Sequence, residues 1–412
     1  MSLVATSVYL AILASAALGV YLKTRQSRAA RADRETPPPE FAATVTVDEH
    51  RRAADYTVAR MRLSVAETVF DAALALAWLA LLLGPLYGLL AQFIAPGLTL
   101  SVAVVVAVAI VDHLLRLPFS LVETFGLETR FGFNRSTLTM FFLDEAKGAA
   151  LWLLFFMPLL YGLFLAARVS PDYWWLAGFV AALALLLAMT LIYPTFIAPL
   201  FNDFAPLEDA ALKARMEELL ARCGFQSGGL FVMDASTRST HGNAYFSGFG
   251  KAKRIVFFDT LLRKHSADEI LAILAHELGH YKFGHVRQRM MQAAAFLFIG
   301  FAALHLAFAR GLGDAFGLPN DPGVIFVIAL TAAAPILHLL SPLTNFLSRR
   351  AEFEADGFAR SIYGKEPMVS ALTKLSRDNL ATLTPDRLYA LFYYSHPPAP
   401  IRIAALEEAR GG

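Results

Sequence analysis

Among 412 residues there is a single cysteine, Cys223. One thiol can neither close an intrachain disulfide framework nor build a thiolate zinc site. No catalytic-cysteine signature surrounds it, so it reads as a passive residue just after Leu220. Charge is also scarce. Asp, Glu, Lys and Arg make up 17% of the chain and balance to +2, which leaves no basic excess to neutralise a nucleic-acid backbone. There is no internal repeat and no long low-complexity tract; the Pro37–Pro39 run reads as an exposed, extended linker. What the chain has in excess is apolar: 57% hydrophobic residues and a mean hydropathy of +0.51. A soluble protein of that composition would expose aggregation-prone surface, whereas a bilayer accepts it.

A bilayer core takes roughly 20 apolar residues per helix. Seven stretches approach or reach that length: Leu3–Leu22, Ala72–Ile94, Leu98–Leu115, Gly148–Ala167, Trp175–Ile197, Met291–Ala309 and Val324–Leu340. The first has no basic residues ahead of its apolar run, so it reads as a retained span rather than a signal peptide. After it come Lys23, Arg25, Arg28, Arg31, Arg34, Arg51, Arg52, Arg60 and Arg62, which assigns this loop to the cytoplasm. Alternation then places 116–147, 198–290 and 341–412 there too, while the outer loops 95–97, 168–174 and 310–323 carry only Arg168 and Arg310. The segment 198–290 is the one long stretch between spans with mixed signals. Pro206–Leu220 reads as an amphipathic helix, and Leu230–Met233, Ala244–Phe249 and Arg254–Phe258 as short strands, with Gly248 and Gly250 suiting a turn or bulge between the last two.

The chemistry concentrates in SADEILAILAHELGHYKFGH, opened by Ser266 and Glu269 as a capping box. On such a helix His276 and His280 lie within about 40° of each other, one turn apart, so both rings reach one ion. Glu277 stands beside the first histidine, where its carboxylate can take a proton from activated water; this is the H-E-x-x-H zincin pattern. For a third ligand, His285 is unsuited: a metzincin site needs glycine at 283 and histidine at 286, where Phe283 and Val286 stand. His285 is also about 140° around the helix from His280. SRRAEFEADGFAR offers better. Glu352 can complete a His, His, Glu set, and Asp356, on the same helical face, can orient a histidine ligand or hydrogen-bond near the reacting centre. Glu354 competes but points to another face. Two spans separate the H-E-x-x-H helix from Glu352, which returns both to one side of the membrane.

HELGHYKFGH, SRRAEFEAD, STHGNAYFSGF with KRIVFFDTLL, TRFGFNRSTLTMF and SHPPAPIRIAAL together resemble the type I CAAX prenyl protease family, from about Glu128 to Leu406. The resemblance implies a seven-span gluzincin whose helices enclose a water-filled chamber, with one Zn2+ per chain on His276, His280 and Glu352, Glu277 as general base and Asp356 as an acidic residue with a second catalytic role. It implies that Asn243 and Ala244 form an edge strand aligning the substrate backbone, and that His396 and Arg402 lie near the active site, stabilising an oxyanion or binding a substrate carboxylate. The sequence departs from the family at Gly242 and Ser247, where serine and tyrosine are usual, and at Pro400, where an acidic residue is common; this bears on substrate preference. Asp71, Asp112, His113, His305 and His338, in or at the ends of spans, suit either a wet chamber lining or helix-to-helix hydrogen bonding.

The expectation is therefore a mostly α, polytopic membrane protein with a small cytoplasmic α+β protease domain. Its segments are 1–197 (spans one to five with cytoplasmic loops 23–66 and 116–147), 198–290 (catalytic segment), 291–340 (spans six and seven) and 341–412 (third zinc ligand). The expected function is zinc-dependent endoproteolysis near the C-terminus of CaaX-type, prenylated proteins. Clearance of damaged membrane proteins by the same chemistry is the alternative, and a non-catalytic zinc-binding transporter or receptor is a remote one. Expected partners are a peptide or protein substrate, isoprenylated or not, and the lipid bilayer, with no nucleic acid and with function as a monomer. Short loops and an Ala- and Arg-rich composition suggest a bacterial inner membrane (an endoplasmic-reticulum-type membrane in a eukaryote), with the active site facing the cytoplasm.

Overall fold

The computed structural model describes residues 2–42, 44–226, 228–247 and 254–408. Seven helices are long and apolar enough to cross a bilayer: α1 Leu3–Ala32, α2 Val47–Leu90, α3 Leu98–Phe131, α4 Leu138–Val169, α5 Trp174–Leu200, α9 His285–Ala309 and α10 Pro322–Tyr363. Between α5 and α9 lie β1 Phe204–Pro206, α6 Ala210–Arg222, β2 Leu230–Met233, β3 Ala244–Ser247, β4 Arg254–Phe258, α7 Asp259–Lys264 and α8 Ala267–Lys282. After α10 come α11 Glu366–Asp378, α12 Arg387–Tyr393 and α13 Ala399–Glu408.

The spans occur where the apolar runs stand, but several helices run well past them. α2 begins at Val47 rather than near Ala72, started by a capping box between Thr46 and Glu49. α10 does not end near Leu340 but continues through Pro342 to Tyr363. Hydropathy detects only the part of a helix that meets lipid; the polar extensions are held by packing instead. The extension of α2 lies along α1, with Ala54 and Val58 against Ala30, and buries Ala53 and Tyr56 against Phe131 and Phe133. The segment expected to be helical from Pro206 differs as well. Phe204–Pro206 pairs as a strand with Phe231–Met233, and the helix starts after Asp209, whose carboxylate accepts the Leu212 N–H at 2.9 Å. The strand foreseen over Ala244–Phe249 runs to Ser247; Gly248, Phe249 and Gly250 lie outside the described residues.

Contacts between neighbouring spans run in a closed circuit, α1–α2–α3–α4–α5–α9–α10 and back to α1. At the end of the bundle far from Glu352, α3 and α10 also meet directly. A Cβ on Gly323 would fall 2.1 Å from the Ser101 carbonyl oxygen, so glycine is what allows the backbones to touch there. Polar groups within the bundle mostly find partners across helices. The indole N–H of Trp78 donates to Asp112 (2.6 Å) and Arg116 to Asp71 (3.0 Å), while His338 lies between Ser15 and the Tyr393 hydroxyl. His113 approaches Glu145 at 3.2 Å, and His305 packs against the rings of Trp174 and Trp175. Arg116 and Asp71 remain about half exposed. Charges that open cannot face lipid tails, so they face water inside the bundle or at its mouth.

The small sheet has the order β1–β2–β4–β3, with β2 and β4 parallel and the outer pairs antiparallel. Its core joins Met216 and Leu219 of α6, Ile255 and Phe257 of β4 and the apolar faces of α8 and α11. Ile270–Ala275 of α8 are buried all round, as befits a helix wedged between a sheet and other helices.

Candidate metal centre

α8 starts as its sequence dictates: the Ser266 hydroxyl accepts the Glu269 N–H and the Glu269 carboxylate accepts the Ser266 N–H. Glu269 is further held by Lys374 and Ser370 of α11, which pins the helix start to the C-terminal segment. α8 then lies against α10 at very short range. A Cβ on Gly279 would stand 2.8 Å from Ala355 Cα and 3.1 Å from Ala355 O. Gly279 is thus the residue that lets the helix carrying two histidines approach the helix carrying Glu352. From Pro322 to Glu352 is about 45 Å along an α-helix, beyond the ~30 Å hydrocarbon thickness, so α10 is long enough to carry the carboxylate beyond the lipid.

There the three side chains meet. His276 Nε2 and His280 Nε2 are 3.2 Å apart, and each is 3.3 Å from a different oxygen of Glu352. The Glu352 carboxylate is wholly buried, and neither of its oxygens has a hydrogen-bond partner among the described residues. Two imidazole nitrogens and an unsatisfied carboxylate facing one point form an unfavourable arrangement unless a cation joins them. The donor set suits zinc: all ligand atoms lie within 4.8 Å of one another, and with three protein ligands rather than four a position is left open for reactants.

The far side of each imidazole is held in turn. His276 Nδ1 is 2.8 Å from Asp356 Oδ1. Asp356 also receives Nε and one terminal nitrogen of Arg402, at 2.7 and 2.6 Å. His280 Nδ1 lies 2.9 Å from His285 Nδ1, and His285 Nε2 3.1 Å from Glu354, which Arg350 holds at 3.0 Å. With zinc on Nε2, His280 carries its proton on Nδ1 and donates it to His285, whose Nε2–H donates to Glu354. Each ligating ring is therefore oriented from behind by a carboxylate, one directly and one through a histidine.

On the open side stand Glu277, His396 and Arg289. Burial pushes the Glu277 carboxyl above its ordinary range, against the weaker pull of the neighbouring histidines and Arg289. His396 Nε2 is 3.3 Å from Glu352 Oε1, with the side chain 62% exposed, and Arg289, from the first turn of α9, reaches within 3.8 Å of the same oxygen. Arg402, expected near the active site, is buried there, bound to Asp356 behind His276 and with its other terminal nitrogen 3.7 Å from Glu352 Oε2. There burial works against its charge, but Asp356 more than restores it. Asn243 is exposed, and its carbonyl accepts the Phe258 N–H at 3.0 Å. Ala244 begins β3, paired with Phe257. β3 touches α8, and its outer edge is unpaired among the described residues. Sequence reasoning missed Arg289 and the His285–Glu354 relay. Arg289 stands four residues after His285, which was the available signal. Cys223 caps the end of α6, where burial raises its thiol above its ordinary range.

Comparison with known families places two models end to end on this chain: the CAAX prenyl protease N-terminal model, described as five membrane helices, over residues 26–203, and peptidase family M48 over residues 206–410. The CAAX prenyl protease 1 homolog of Oryza sativa subsp. japonica is 39% identical over 75% of this chain and 73% of its own. The CAAX prenyl protease 1 homolog of Caenorhabditis elegans is 32% identical over 90% of each. The crystal structure of S. mikatae Ste24p superposes with a TM-score of 0.88, at 28% identity, covering 97% of both chains.

Proposed function

The chain belongs to the CAAX prenyl protease family of M48 zinc metallopeptidases, and on that premise we propose that it cuts CaaX-type proteins near their C-terminus, in a site facing the cytoplasm. The observation that carries this reading is the buried, hydrogen-bond-free Glu352 carboxylate meeting His276 and His280 beside an open strand edge. Zinc held by these three would acidify a water and polarise the scissile carbonyl. An extended substrate adds to the outer edge of β3 at Asn243 and Ala244, its backbone N–H and C=O groups completing the ladder. Glu277 removes the water's proton and returns it to the leaving amine. His396 and Arg289 face the side on which negative charge gathers on the carbonyl oxygen, and stabilise it. Asp356 and Arg402 hold His276 in orientation. The cytoplasmic assignment is supported by the Lys- and Arg-rich segment between α1 and α2, set against outer loops carrying only Arg168 and Arg310. The test compares a farnesylated CaaX peptide with its unprenylated twin on purified enzyme, with cleavage sites read by mass spectrometry. Preference for the prenylated peptide, with cutting inside the CaaX tetrad, is expected. Equal cutting of both at scattered bonds would point to a general membrane-protein clearance protease.

A further inference from the structure

Two of the motifs that carry the family resemblance, TRFGFNRSTLTMF and STHGNAYF, share a junction that the chemistry above does not use. The Arg135 N–H donates to Arg238 O (3.0 Å) and the Thr240 N–H to Phe133 O (3.1 Å), while Asn134 bridges to Ser239. His241 sits at the centre. Its ring stacks on Phe133, with centroids 4.0 Å apart. Its Nε2 is 3.2 Å from Glu128 Oε2 and its Nδ1 is 3.1 Å from Asn379 Oδ1. Both partners are themselves fixed: Tyr56 of α2 donates to Glu128 at 2.5 Å, and Asn379 Oδ1 also accepts the Gly242 N–H at 3.3 Å. The carbonyl of His241 accepts the Thr260 hydroxyl of α7 at 2.7 Å. Groups from α3, α7 and the C-cap of α11 thus converge on one residue, two positions before Asn243, with α2 bracing Glu128 from behind.

β3 has only four described residues and a single partner strand. A ladder that short fixes its strand weakly, so the clamp at its start sets where the edge lies. We propose that His241 is a positioning residue for catalysis, fixing the height and register of the β3 edge relative to the zinc ligands and tying that edge to the membrane helix α3. The proposal rests on the reading of β3 as the substrate-docking edge. Because side chains alternate with a period of two along a strand, a slipped edge presents the wrong carbonyl rather than merely a looser one.

The test uses the full-length enzyme, loaded with zinc, and a quenched CaaX-type peptide, together with a set of peptides N-methylated at one backbone amide each. His241→Ala and Glu128→Met, which keeps the side chain's length but removes its hydrogen-bonding atoms, are each expected to lower kcat/KM about tenfold or more, mainly through KM, and to add cleavage at neighbouring bonds, with zinc still at one per chain. The double variant should lose no more than the worse single one, since both break one clamp. N-methylation at the docking amides should slow the wild type and matter less in the variants. If the wild type is slowed but both variants keep its KM and single cleavage bond, the His241 proposal is wrong and the docking edge stands. If N-methylation leaves the wild type untouched, the docking edge itself is wrong, and the proposal falls with it. Should His241→Ala fail to fold, Glu128→Met, close in size to the native residue, decides alone.

Discussion

Replacing Gly279 with alanine adds one methyl group at the tightest point between α8 and α10. The new Cβ would lie 2.8 Å from Ala355 Cα, 3.1 Å from its carbonyl oxygen and 3.2 Å from its Cβ. Carbon atoms in contact settle at about 3.5–4.0 Å, so the helices must part by about 1 Å. Because the nearest atoms belong to the backbone, no rotamer change relieves the clash. Alanine favours a helix over glycine by about 1 kcal/mol, and overpacking costs about 1–3 kcal/mol, so the metal-free protein should lose only ~0–2 kcal/mol. The zinc site should suffer far more. Glu352 lies three residues before Ala355 on α10, and the two histidines flank Gly279. Metal–ligand distances tolerate only about 0.2 Å. We expect zinc affinity, measured by competition with a chromogenic chelator, to fall by about 100-fold or more, while the thermal midpoint of the metal-free protein moves by a few degrees at most. Ala355→Gly should not rescue it, since the clashing Cα and carbonyl oxygen remain. Zinc binding within twofold of wild type in Gly279→Ala, with the fold intact, would refute the argument that this contact sets the ligand spacing.

Four further outcomes are expected. Glu277→Gln should keep one zinc per chain by metal analysis yet lose turnover by ~10²–10⁴ or more, read with a quenched peptide; retained proteolysis in a contaminant-free sample rules out its role as base. Arg402→Met strands the buried Asp356 carboxylate without its bidentate partner, so the thermal midpoint should drop by the equivalent of about 3–5 kcal/mol, and an unchanged midpoint would show that water replaces the guanidinium. Burial works against the charge of Glu269, but Lys374, Ser370 and the Ser266 N–H more than offset it and hold its carboxyl below the ordinary range. The stability it supplies is therefore full above the ordinary carboxylate pKa of about 4.3 and fades as pH falls through the lower folded value. Glu269→Gln should flatten the acid limb of the melting profile, and an identical limb counts against the assignment. Finally, a chelator should abolish hydrolysis and lower the melting temperature, and added zinc should restore both.

The catalytic helix was legible because its information is local. Four-residue spacing places His276 and His280 on one face whatever the surroundings, and Ser266 with Glu269 fixes where that face begins. Glu352 was legible for a topological reason: two spans return the chain to the side it left, and the Glu352–Asp356 pair is the acidic face waiting there. The relay from His280 through His285 to Glu354 was not legible. The angle that set His285 aside assumed one continuous helix, but α8 ends at Lys282 and Gly284 turns the chain in the left-handed region, so His285 opens α9 and meets His280 through that turn. Arg402 shows the same limit, since its position behind His276 depends on how α13 docks and not on its neighbours in sequence. The extensions of α2 and α10 escaped for a different reason: polar helix beyond the lipid carries no hydropathy signal, and only its packing reveals it.

The continuity of α10 has a consequence for how this enzyme is made. The two imidazoles precede α9 in the chain, and their carboxylate partner follows the apolar part of α10. No fragment lying wholly in water holds the full ligand set, and a ribosome partway through the message has built a protein without its metal. The ligand set is therefore completed only across two membrane helices, the second of which is the same continuous rod that carries Glu352.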